Sequence, residues 1–130
     1  MPMMARLSDA PISTKHVVEI ARCLRGKELK KAMAFLERVI EGKQAVPFKR
    51  YNRDTPHRKG MGPGRYPKKA SSYMLKLLKD ALNNAIQKGM NPEKLFIKRI
   101  EVGMAISKHR RARRGLGKRT HVLVEVEERD

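Results

Sequence analysis

The sequence predicts an α+β fold, with three helices and a long antiparallel hairpin in a single domain spanning residues 1–130. Three observations carry this: apolar residues recur at helical spacing through most of the chain, the period changes to two after Pro92, and glycines and prolines sit at the boundaries. Of the 130 residues, 40% are apolar, which is enough to build a core. A domain of this size buries roughly two-thirds of the surface its unfolded chain exposes.

The first helix is expected to open at Pro11, Ile12, Ser13, Thr14, where Ser13 or Thr14 can cap free backbone N–H groups. Val17, Ile20, Ala21 and Leu24 then share one face, and Gly26 suits the end. Leu29, Ala32, Met33, Leu36, Val39 and Ile40 mark a second helix closed by Gly42, and the short link makes the two an antiparallel pair. A third starts at Pro67 and runs through Ala70, Met74, Leu77, Leu78, Ala81, Ala85 and Ile86 to Lys88 and Gly89.

Beyond Asn91 and Pro92 the alternation places Phe96, Ile100, Val102, Met104 and Ile106 on one side of a strand, with Arg99 and Glu101 on the other. A second strand has Val122, Val124 and Val126 facing one way, and His121, Glu125 and Glu127 mostly facing the other. The two should pair. Their joint, 103–121, is far longer than an ordinary hairpin turn. As a two-stranded ribbon it would project roughly 30 Å, against a radius of gyration of about 14 Å for the body.

Charge is unevenly placed. The chain holds 31 Lys and Arg against 13 Asp and Glu, a net +18. Residues 48–69 contain eight bases and one acid, and residues 103–121 contain seven bases and no acid. Surplus on that scale calls for a polyanionic partner, and nucleic acid is the leading candidate. Lys108, Arg110, Arg111, Arg113, Arg114, Lys118 and Arg119 lie within twelve residues, alongside His109 and among small residues that allow close backbone approach. Guanidinium groups grip phosphates bidentately and stack on bases. The bland alternative is a solvated loop or a nuclear localisation signal. In the other segment Lys49, Arg50, Arg53, Arg58, Lys59, Arg65, Lys68 and Lys69 are expected to contact phosphate. Tyr51 and Tyr66 either stack on unpaired bases or cover the edge of the core. Prolines and glycines there argue against regular structure, and the Gly60, Gly62, Gly64 spacing lacks the Lys-Ser/Thr pair of a nucleotide-binding loop.

Catalytic, metal and cofactor sites find no support. His16, His57, His109 and His121 are scattered, and Asp54 is the one acid of the basic segments, where a metal-dependent nuclease needs a carboxylate cluster. Glu125, Glu127, Glu128 and Asp130 are expected to be solvated. Cys23 stands alone, which excludes an internal disulfide and a paired-thiolate zinc site, and is expected to pack in the core. No apolar run approaches the ~20 residues of a membrane span, and the start has no signal-peptide stretch. A soluble, cytoplasmic protein is expected.

Ser13, Thr14, Lys15, His16, then Ile20, Ala21, Arg22 and Arg25, Gly26, Lys27, resemble the first-helix signature of the L twenty-two family of large-subunit ribosomal proteins. Val46, Pro47, Phe48, Lys49 with Gly64 to Ala70 is similar to its archaeal and eukaryotic branch. Leu77, Leu78, Lys79, Asp80, Ala81, Asn83, Asn84, Ala85 is similar to the third helix, and Arg111, Ala112, Arg113 with Lys118 to His121 to the hairpin loop, here several residues shorter. The resemblance covers nearly the whole chain. It implies three helices packed on a small antiparallel sheet with a long protruding hairpin, the segment near Arg6 and Leu7 adding a strand. It also implies RNA contact at Lys15 and His16, binding of large-subunit rRNA, and a hairpin lining the polypeptide exit tunnel. Neighbouring ribosomal proteins and the nascent polypeptide near the hairpin tip would be partners, the chain being a monomer within the ribosome. The competing readings are a free nucleic-acid-compacting protein and a small nuclease.

Overall fold

The computed structural model describes residues 3–48, 57–58, 62–104 and 119–129. The chain order is β1 (Met3–Ala10), α1 (Thr14–Leu24), α2 (Leu29–Ile40), β2 (Val46–Pro47), β3 (His57–Arg58), β4 (Gly62–Arg65), α3 (Lys68–Gln87), β5 (Leu95–Met104) and β6 (Thr120–Glu128). This is the expected α+β architecture. The main sheet has the antiparallel order β1-β6-β5, and β2-β4-β3 form a second, smaller sheet.

Each helix buries most of the stripe its periodicity marked, the exceptions being Ile86, which is 50% exposed, and Met33 and Ile40, which are partly buried. Val17, Ile20, Ala21 and Leu24 of α1 are buried, as are Leu29, Ala32, Phe35, Leu36 and Val39 of α2, and Ala70, Met74, Leu77, Leu78, Ala81 and Ala85 of α3. They meet the inner face of the sheet, where Ala5, Leu95, Ile97, Ile100, Val122, Val124 and Val126 are buried in the same cluster. Full burial of one such aliphatic side chain is worth about 1.5–3 kcal/mol. That burial stabilises the first two helices, otherwise marginal at 11 and 12 residues. Gly26 and Gly42 take φ of +79° and +81° after the first two helices, a conformation that costs a residue with a Cβ roughly 1–2 kcal/mol.

Several expectations need correction. The first two helices do not form a pair: α2 packs chiefly on α3, and α1 on β5, α3 and β2. Each buries its apolar stripe in the core shared with α3 and the sheet rather than against the other. Ser13 occupies the N-cap of α1 but makes no side-chain capping bond, and the Thr14 hydroxyl bonds Thr120. In β5 the register shifts between Ile97 and Arg99, which reverses the alternation. Leu95 and Ile97 are therefore buried before the shift and Ile100 after it, while Phe96 falls on the other side and Met104 is 81% exposed. Ile106 lies outside the described residues. Finally, residues 62–65 do form a strand, because only two residue pairs are needed on each side, Val46↔Arg65 and Pro47↔Gly64 with β2, His57↔Pro63 and Arg58↔Gly62 with β3.

The C-terminal carboxylates are likewise not simply solvated. Arg99 Nε donates to Glu125 Oε2 at 3.0 Å across the ladder, where Arg99 and Glu125 are register partners, and Lys98 lies 3.4 Å from Glu127. Cys23 is half-buried against the core, as expected.

The root of the hairpin is tied to the helical layer. Thr120, fully buried, donates from Oγ1 to the Ile12 carbonyl at 2.7 Å, and its one hydroxyl proton being spent there, the Thr14 hydroxyl donates to it at 2.9 Å. On the opposite arm Arg25 donates to the Ile100 carbonyl at 3.1 Å. Thr120→Val keeps the shape and removes the hydroxyl, leaving the Ile12 carbonyl short of a partner. Urea denaturation is expected to show a loss of about 1–3 kcal/mol; an unchanged midpoint would contradict the assigned role.

Candidate nucleic-acid interface

The residues from Ile12 to His16, around the start of α1, form a corner at which both basic segments begin. Phe48, the last described residue before the first segment, is 1% exposed and meets the His16 ring edge-on, centroids 5.5 Å apart at 65°. The Arg65 guanidinium, on the strand that returns from that segment, is 5.9 Å from the same phenyl ring, at the limit of a cation–π contact. One buried ring thus meets an imidazole from α1 and lies near a cation from β4. Phe48 is a positioning residue that composition did not reveal, since its neighbours draw attention by charge and it does not. The second segment returns at Arg119, one residue before Thr120, whose hydroxyl holds the Ile12 carbonyl and receives the Thr14 hydroxyl.

A cleft of about 240 Å³ opens between the first turns of α1 and α3, lined by Pro11, Ile12, Ser13, His16, Lys69 and Ala70. Both turns carry bases: Lys15 and His16 in α1, Lys68 and Lys69 in α3. Neither N-cap residue, Ser13 or Pro67, makes a side-chain capping bond, and neither first turn contains an acid. That charge order is unfavourable for an isolated helix, whose N-terminus attracts anions. It becomes favourable when an external phosphate receives both the lysines and the backbone N–H groups. The ion pairs among the described residues do not draw on Arg65, Lys68 or Lys69. They join Lys30 to Glu93, Lys31 to Glu28, Lys43 to Glu41, Lys98 to Glu127, and Arg99 to Glu101 and Glu125.

Of the residues that the sequence nominated, the structure places His16 and Arg65 at the Phe48 ring and His16 and Lys69 along the cleft, with Lys15, Tyr66 and Lys68 next to them in sequence and Arg119 beside the hairpin root, while the Lys68 side chain reaches Gly42 at the end of α2. Tyr66 is 37% exposed, which leaves part of its ring open to a stacking base. Lys49, Arg50, Tyr51, Arg53, Lys59, Lys108, His109, Arg110, Arg111, Arg113, Arg114 and Lys118 lie outside the described residues, and Arg58 is described in its backbone alone. Among the described residues no group of three or more His, Cys, Asp or Glu could hold a metal ion, and no helix is long and apolar enough to cross a membrane.

Residues 5–125 match the family model described as ribosomal protein L22p/L17e. The large ribosomal subunit protein uL22 of Methanococcus aeolicus is 46% identical over 127 residues, covering 90% of this chain and 83% of the relative. That of Ignicoccus hospitalis is 43% identical over 137 residues, covering 95% and 86%, and that of Nanoarchaeum equitans 43% over 133 residues, covering 92% and 75%.

The reversed charge order at the start of α3 has a measurable signature. In the free protein Lys69→Glu is expected to raise stability by roughly 0.5–1 kcal/mol, because a carboxylate in the first turn suits the helix dipole. Thermal denaturation at low salt checks this, and a loss of stability would show that Lys69 already has a favourable partner within the fold.

Proposed function

The chain belongs to the ribosomal protein L22p/L17e family, structural and non-enzymatic components of the large ribosomal subunit, and from that premise we propose that it binds large-subunit rRNA through this corner and its two basic extensions. The protein is of the archaeal type and works in the cytoplasm as part of the subunit. Its helical body holds the fold. Residues Lys49 to Lys69 clamp RNA at the surface, Lys108 to Arg119 thread between RNA helices, and the hairpin lines the polypeptide exit tunnel, with the nascent chain passing near its tip. Neighbouring large-subunit proteins complete the surroundings.

The single observation that supports this most is that both cationic segments spring from one corner, around Ile12 to His16, where two helix first turns also carry lysines without acids. RNA strands converging on one point repel each other strongly. Cations delivered from several chain segments to that point neutralise phosphates of more than one strand at once. Such contacts position and stabilise RNA packing while carrying little base information.

If each of the seven Lys and Arg of the hairpin loop contacts a phosphate, replacing Lys108 to Arg119 with Gly and Ser should flatten the slope of log affinity against log salt by about five units, using the single-strand coefficient. Filter binding to transcribed large-subunit rRNA over a salt series measures it. An unchanged slope would remove the hairpin from the interface.

A further inference from the structure

Far from the corner, past the C-terminal end of α1, an open cleft of about 480 Å³ lies between the α1–α2 link, one side of α2 and the end of β6. The 11 residues of α1 separate the two places by roughly 16 Å. The hairpin leaves the sheet at its other end, since the β5–β6 ladder runs from Leu95↔Glu128 to Met104↔Thr120. Four cations line the cleft, Lys27, Lys31, Arg38 and Arg129, against one acid, Glu28. None of the four belongs to either basic segment.

Two of these cations rest on aromatic faces. Lys27 Nζ is 4.2 Å from the Phe35 ring centroid, and the Arg129 guanidinium carbon is 3.9 Å from that of Phe96. A ring face attracts a cation without supplying a formal negative charge, so the excess charge survives. Lys31 lies 3.7 Å from Glu28, whereas Lys27, Arg38 and Arg129 make no ion pair among the described residues. The Arg129 backbone N–H donates to the Lys94 carbonyl at 2.8 Å, which fixes the base of its side chain. Stacking occupies a face of the guanidinium and leaves its N–H edges able to grip phosphate oxygens.

We infer that this cleft is a separate RNA-binding site that takes the phosphodiester backbone of large-subunit rRNA at the end of the domain remote from the hairpin. The inference rests on the reading that the protein binds that RNA. An acidic peptide is the less suited occupant, because the strand edge beside the cleft is already used. Gly26 N–H donates to the Ile97 carbonyl at 3.1 Å, and the Ile97 N–H to the Lys27 carbonyl at 2.9 Å. A peptide would find no free ladder there. A phosphodiester chain needs only the cations.

The test uses the full chain and transcribed large-subunit rRNA over a salt series, comparing the wild type with the variant Lys27→Gln, Lys31→Gln, Arg38→Gln, Arg129→Gln. Four phosphate contacts predict a slope shallower by about three units. The charge-keeping variant Lys27→Arg, Lys31→Arg, Arg38→Lys, Arg129→Lys is expected to restore most of it. If the fourfold variant fails to fold by circular dichroism, Arg38→Gln with Arg129→Gln is used, with about half that change expected. A slope unchanged in the folded variant overturns the inference, as does loss of binding to polyglutamate with RNA binding intact, which would assign the cleft to an acidic protein. The hairpin replacement, measured in parallel, judges the earlier reading separately. A slope flattened by the cleft variant but not by the hairpin variant would remove the hairpin from the interface while supporting the cleft.

Discussion

Cations crowded into a small domain must be kept apart or given counter-charges, and this chain holds 31 Lys and Arg for 13 Asp and Glu. Six of its acids form ion pairs among the described residues, as in Lys98 with Glu127 and Arg99 with Glu125 on neighbouring strands. The exposed pairs contribute about 0–1 kcal/mol each, whereas Glu125 is buried. They matter here because they leave few carboxylates for the rest. The basic segments 48–69 and 103–121 hold one acid between them. The described ends of both segments lie around the start of α1, which fits the proposal that one polyanionic partner meets both.

The corner at the start of α1 joins the helical layer, the small sheet and the hairpin root. A buried phenyl ring, Phe48, meets His16 and lies near Arg65, while the Thr120 hydroxyl ties the returning arm of the hairpin to Ile12 and Thr14. Neither contact involves RNA directly. Both hold the described ends of the basic segments in place, so the proposed RNA binding would lose less conformational entropy than it would with free tails. Lysines in helix first turns fit the same logic, since a charge order that costs stability in the free protein becomes favourable beside phosphate.

Much of this was legible in residue order. The three helical stripes and the alternation of Val122, Val124 and Val126 located the core, because periodicity reports directly which face is buried. The resemblance to the family supplied the N-terminal strand. Other features depend on tertiary contacts that periodicity does not encode. The register shift after Ile97 moved Phe96 to the other face, and no local residue type announces it. Glu125 reads as a polar-face residue until Arg99 is seen opposite it across the ladder. Of the interface, the cations were readable from charge, but Phe48 was not, and the second cleft draws Lys27, Arg38 and Arg129 from distant parts of the chain. Lysines in the first turn of an uncapped helix are one signal that sequence does carry.

The central claim is that charge unmatched within the protein is matched by RNA in the subunit. Lysine acetylation, quantified residue by residue on the free protein and on assembled large subunits, tests it most directly. Lys68, Lys69 and Lys108 should be strongly protected on assembly, whereas Lys43, paired with Glu41 on the body, should change little. Equal reactivity of all four in both states would contradict the account.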